Sequence, residues 1–144
     1  MMRVLAVDHG SARAGCAISD PSGTIARPLG VVEPPEPGAV ASVIAEHAAE
    51  LVVVGLPVLM NGTEGAQARA AREFSDALAK LTDVPVETYD ERLTTRLAEG
   101  SARAGARAEP DALAAAHLLE SYLLARRSRT RAQAGEPEEA GGDE

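Results

Sequence analysis

The sequence predicts an α/β fold, a five-stranded mixed sheet in the order 3-2-1-4-5 flanked by helices. Three features point there. Residues 3–32 hold three strand-like runs separated by tight turns, residues 51–55 form an unbroken apolar run bounded by Gly and Pro, and stretches of helical period lie on either side of that run. A meander followed by strands reached through helices gives the order β-β-β-α-β-α-β-α-α.

Each element has a local reason. Residues 3–8 run from apolar to acidic and end on Asp8; Gly10-Ser11 then turns the chain into a second strand over 14–19. Asp20-Pro21-Ser22-Gly23 is a turn, residues 24–32 supply the third strand, and the Pro-rich 33–38 forms a stiff connector. Residues 39–50 read as a helix with Val40, Val43, Ile44 and Ala48 on one face. The run Leu51-Val52-Val53-Val54-Gly55 is the pattern of a strand buried on both faces. A loop over 56–65 leads into a helix to about residue 81, with Ala68, Ala71, Phe74, Leu78 and Leu81 inward. Residues 84–90 form an edge strand, because Pro85 cannot donate to a ladder. Helices over 94–104 and 111–126 complete the domain, which spans 1–131. Residues 132–144, rich in Gly and Glu, read as a disordered acidic tail. This is the RNase H-like order of elements, and it excludes a plain Rossmann fold, whose first strand runs into a helix.

Composition narrows the function. The 144 residues carry a net charge of -8, but residues 132–144 hold five acids and no base, leaving 17 acids against 14 bases in the rest. A nucleic-acid partner is therefore compatible with the folded part, and 13 of the 14 bases are Arg, the side chain suited to bidentate phosphate contacts, although a GC-rich genome gives the same bias. With no Trp, one Phe and two Tyr, aromatic base stacking is excluded as the main binding mode. Cys16 is the only cysteine and reads as a core thiol. No run of 18 apolar residues exists, so a cytoplasmic protein without a membrane partner is expected.

In open α/β sheets, ligands gather beyond the carboxyl ends of the parallel strands. Asp8 ends the first strand, Gly55-Leu56-Pro57 the fourth and Asp90-Glu91-Arg92 the fifth, while Asp111 opens a helix able to fold back over that edge. Clustered carboxylates without His or Cys at ligand spacing favour Mg²⁺ or Mn²⁺ over zinc. Two such ions about 3.5 to 4 Å apart can drive phosphodiester hydrolysis, with Asp8 bridging them and Glu91 and Asp111 on either side. Structural readings compete: Glu91 can pair with Arg92 or cap the helix near Thr94, and Asp111 follows Pro110 where an N-cap belongs. Glu91 also starts two strands away from Asp8, a lateral offset of roughly 10 Å at about 4.8 Å per strand. The loop through Asn61-Gly62-Thr63-Glu64-Gly65 offers backbone amides to an anion at a helix start, unless Asn61 or Thr63 simply caps that helix. Arg13, Arg92 and Arg96 are candidate substrate contacts, and Thr94 and Thr95 stand beside them. His9, His47 and His117 are scattered and receive no metal role.

Four blocks then combine: Asp8-His9-Gly10-Ser11-Ala12-Arg13-Ala14-Gly15; Val53-Val54-Gly55-Leu56-Pro57 with Met60-Asn61-Gly62-Thr63-Glu64-Gly65; Asp90-Glu91-Arg92-Leu93-Thr94-Thr95; and Asp111-Ala112-Leu113-Ala114-Ala115. In this order and spacing the chain resembles the YqgF/RuvX family. The resemblance implies an RNase H-like nuclease related to RuvC-type junction resolvases, with metal-binding acids at Asp8, Glu91 and Asp111. It also implies that the substrate is pre-16S ribosomal RNA or a pre-ribosome, matured at the 5′ end, with Holliday-junction resolution on branched DNA as the alternative. A homodimer goes with the second of these, since two-fold symmetric cutting needs two copies. The chain departs from the family in having Ala108-Glu109-Pro110 where a Lys often precedes the last Asp, and in Leu59, where a polar loop residue is common. A nonenzymatic RNA-binding factor and an actin-like nucleotide-binding module are the remaining classes. Intact acids argue against the first, and the second needs two similar domains.

Overall fold

The computed structural model describes residues 2–94 and 109–142, with side chains as far as 129. β1 (Val4–His9), β2 (Ala14–Ser19) and β3 (Ala26–Val32) form the meander; α1 (Pro37–Glu46) leads to β4 (Leu51–Leu56), and α2 (Ala66–Ala79) to β5 (Val86–Asp90). A single 3₁₀ turn, Glu91–Leu93, follows β5, and α3 runs from Pro110 to Gly142. The sheet order is β3-β2-β1-β4-β5, as the sequence predicts. β1 is antiparallel to β2 and parallel to β4, so the apolar run of β4 is flanked on both sides and entirely buried. Among the described residues no helix is long and apolar enough to cross a membrane.

Side-chain alternation divides the core in two. Val4 and Ala6 of β1, Ala17 of β2, Leu51 and Val53 of β4 and Tyr89 of β5 face α3, where they meet Ala115, Leu119 and Tyr122. Leu5, Val7, Cys16, Ile18, Val52 and Val54 face the other way, against Val40 and Ile44 of α1 and Phe74 and Leu78 of α2. Each fully buried Val or Leu contributes about 1.5 to 3 kcal/mol relative to an exposed one, so both helical layers are firmly held without large aromatics. Cys16 is buried, and burial pushes its thiol up to about 11. It is a core residue.

Three boundaries differ from the sequence reading. α1 stops at Glu46 rather than reaching residue 50, because Ala48 adopts φ of 53° and Ala49 N–H closes the turn on the Ile44 carbonyl at 3.0 Å, a left-handed helix end. α2 stops at Ala79, which leaves Leu81 outside the helix and 55% exposed instead of inward. The backbone of α3 continues through 132–142, where the sequence reading expects no order. The packed turns before residue 129 already supply the nucleus, and Ala134, Glu138 and Ala140 favour continuation while Gly135 and Pro137 oppose it. The helix expected over 94–104 falls almost entirely outside the described residues.

Candidate active site

The same alternation that builds the core puts three site positions on one face. Asp8 follows Val4 and Ala6, Gly55 follows Leu51 and Val53, and Glu91 follows Tyr89, all at spacing two and all toward α3. In register, Asp8 lies opposite Gly15 of β2, and Val7 pairs with Val54, which sets Gly55 beside Asp8 on the β4 side. Asp8 is therefore flanked by two residues without side chains.

Those gaps are filled from outside the sheet. A Cβ on Gly55 would lie 2.5 Å from Oε2 of Glu91, so the Glu91 carboxyl occupies the space above Gly55. This closes the two-strand offset: Glu91 reaches across β4 and hydrogen-bonds the Asp8 carboxylate. On the other flank, a Cβ on Gly15 would overlap the Asp111 carbonyl, so the first turn of α3 settles directly on β2. Asp111 is one residue inside the helix start at Pro110, and it pairs with Arg13 at 3.7 Å across the β1–β2 turn. Both groups are close to half exposed, and such a pair is weak and easily exchanged.

Electrostatics follow from this crowding. Burial raises Glu91 to about 7, helped by the Asp8 charge and by its own hydrogen bond to Asp8. Asp8 is also raised, first by burial and then by the charge of Asp111, while the Glu91 hydrogen bond works the other way. The pair shares a proton that Glu91 holds near neutrality. Among the described residues no three acidic, His or Cys side chains stand close enough together to hold an ion: Asp8 and Glu91 converge, and Asp111 is turned toward Arg13.

Arg92 pairs with Asp90 rather than Glu91: Asp90 accepts from the Arg92 amide at 2.9 Å, capping the 3₁₀ turn, and from its guanidinium at 2.7 Å, while the helix near Thr94 that Glu91 is expected to cap lies outside the described residues. Arg92 also donates to the Met60 carbonyl at 3.3 Å, tying the β5 end to the β4–α2 loop. Asn61 shapes that loop by accepting from the Thr63 amide and hydroxyl, and α2 begins at Gly65 with no side-chain cap. Thr94 faces the acid pair from the end of the 3₁₀ turn. Thr95 and Arg96 lie outside the described residues.

Two depressions share Asp8 and Glu91 as a wall. One, of about 330 Å³, opens toward α2 between Ser11, Pro57, Gln67 and Ala70. The other, of about 230 Å³, opens toward α3 between Thr94, Ala114 and His117. In the sequence Gly55 stands out only as a strand end and Gly15 only within a motif, neither placed beside Asp8; His117 is among the histidines given no metal role, and Gln67 is not singled out. For the glycines the signal was present, since counting by twos from the buried strand residues places both beside Asp8.

Residues 2–125 match the RuvX family, described as Holliday junction resolvase. The chain belongs to the RuvX family. A relative from Chloroflexus aggregans is 42% identical over 135 residues, which is 87% of this chain and 95% of its own; one from Pelotomaculum thermopropionicum is 36% identical with 99% of each chain covered. Both bear the name "Putative pre-16S rRNA nuclease". Among solved structures, Thermus thermophilus RuvC in complex with a Holliday junction substrate superposes with a TM-score of 0.62 at 23% identity, covering 88% of this chain and 96% of that one. At that identity the likeness concerns the fold, which this RuvX chain shares.

Proposed function

We propose that this RuvX chain is a metal-dependent nuclease that hydrolyses phosphodiester bonds at the 5′ end of pre-16S ribosomal RNA, with Asp8, Glu91 and Asp111 as its catalytic acids. One observation carries the reading: Asp8 and Glu91 meet across β4 at the carboxyl edge of the parallel strands, in a family member whose relatives bear that name. The donor set fits a hard divalent cation, Mg²⁺ or Mn²⁺, because it offers only carboxylate oxygens and its crowding already draws in a proton that a cation can replace. Asp8 and Glu91 would hold the first ion, and Asp111, released from Arg13, would complete a second site. A bound cation supplies Lewis-acid stabilisation of charge developing on the phosphoryl oxygens. We assign substrate binding to Arg13, which pairs with Asp111, to Thr94, which lines the depression toward α3, and to Arg92 and Asn61, which hold and shape the β4–α2 loop. Thr95 and Arg96, which follow Thr94 in the sequence, are assigned to substrate binding on their sequence position alone.

The test is side-by-side cleavage of a pre-16S 5′ leader and a four-way DNA junction, with Mg²⁺ and with Mn²⁺, using Asp8→Asn as control. Leader cleavage abolished by Asp8→Asn is expected. Unchanged cleavage by the variant would remove Asp8 from the chemistry. Exclusive cutting of the junction would transfer the reading to junction resolution, which the family description favours and which requires two copies acting on two strands.

A further inference from the structure

The depression toward α3 places an imidazole opposite the acid pair. Ala114, His117 and Leu118 are neighbours on one flank of α3, at spacings of three and four, and together they form its helical wall. Asp8, Glu91 and Thr94 form the facing wall. Ala114 contributes only a methyl group, which leaves the His117 ring accessible across the gap, and His117 is half-buried rather than packed away. Leu118 beside it is 3% exposed and Leu119 fully buried, so this turn of the helix is fixed against the sheet. Among the described residues His117, Asp8 and Glu91 do not form a set that holds an ion.

We propose that His117 is a substrate-contacting residue of the nuclease site, donating an imidazole N–H to a phosphate oxygen of the strand lying between the 3₁₀ turn and α3. The chemistry suits the place. Two buried acids repel a phosphodiester, and the groove toward α3 needs a donor on its opposite wall for a phosphate to enter it. An imidazole offers an N–H donor to the groove. Thr94 supplies a second donor at the groove mouth. The strand therefore passes over the acid pair with one phosphate on the α2 side and the next in the groove of His117.

The inference rests on the nuclease reading, and the experiment separates the two. Wild type, Asp8→Asn, His117→Leu and His117→Gln are compared for cleavage of the labelled leader RNA. RNA affinity is measured in the inactive Asp8→Asn background, with and without His117→Leu, and Mn²⁺ affinity and Tm are measured for every variant. His117→Leu keeps a side chain of similar bulk on α3 and removes the donor. It is expected to lower kcat/KM about tenfold to a hundredfold, as loss of one hydrogen bond to a charged group does, and to weaken RNA binding, with Mn²⁺ affinity and Tm unchanged. His117→Gln, which retains an N–H, recovers part of the loss. Wild-type rates and affinity in His117→Leu would overturn the proposal while leaving the nuclease reading intact. A fall in Mn²⁺ affinity would overturn it by making His117 a ligand. Absence of cleavage by wild type would strike the nuclease reading itself, and the RNA-affinity comparison would still decide for or against the contact.

Discussion

Glu91 is where sequence, packing and chemistry meet in one side chain. Its carboxyl lies against Asp8 on the face covered by α3, and both acids have folded pKa values above their unfolded ones. The folded chain therefore binds more protons than the unfolded chain between pH 4.5, the ordinary value for Glu, and about 7. In metal-free protein this contribution is fully present below pH 4.5 and is lost as pH rises through 7. Asp20 and Asp90 act oppositely. Backbone amides around Asp20 and the Arg92 guanidinium beside Asp90 hold these carboxyls low, so their contributions are lost as pH falls below 4. Glu91→Gln isolates the first effect: with chelator present, its Tm relative to wild type should rise from pH 4.5 to pH 7.5. A difference that stays flat across this range would mean that Glu91 titrates as an ordinary exposed acid. Divalent cations compete with the same proton, so Mn²⁺ should raise the wild-type Tm more at pH 8 than at pH 5.

At the scale of elements, the site is a consequence of how β4 separates β1 from β5. A side chain at position 55 would fill the lane through which Glu91 crosses, and the same Cβ would lie 3.0 Å from Leu118 of α3. Gly55→Ala is thus expected to cost about 1 to 3 kcal/mol from overpacking and about a hundredfold in kcat/KM from displacement of Glu91. A fall in stability with kcat/KM unchanged would make position 55 a packing residue only. The element order, the sheet order and the edge position of β5 were legible because period-two and period-3.6 patterns and Pro85 are local signals. The crossing of Glu91 was not, because counting by twos places Gly55 beside Asp8 but does not show that the Glu91 carboxyl, from just past the end of the neighbouring strand, fills the space above it. Asp8 and Gly15 facing each other across the β1–β2 turn is a register fact of the same kind. The reversal of partners at 90–92 was hidden for another reason: Glu91-Arg92 and Asp90-Arg92 are equally good pairs on paper, and only the 3₁₀ turn decides which acid folds back on Arg92.

The whole molecule carries its charge unevenly. Residues 132–144 hold five of the 22 acids and no base, so removing them changes the net charge from -8 to -3, and the substrate proposed for this chain is a polyanion. The segment adds repulsion that acts over about a Debye length, near 10 Å at 0.1 M salt. Truncation after Arg131 should leave Tm within about half a kcal/mol equivalent, as surface changes do, and should raise affinity for unrelated RNA severalfold at low salt. Because the effect is screened, the two forms should converge in affinity as salt approaches 1 M, where the Debye length is about 3 Å. Salt titrations of binding with wild type and truncated chain, each carrying Asp8→Asn to prevent cleavage, measure this directly. Curves that stay parallel at all salt concentrations would assign the segment a specific contact instead of a screening field, and a lower Tm on truncation would show that its helix packs on the domain.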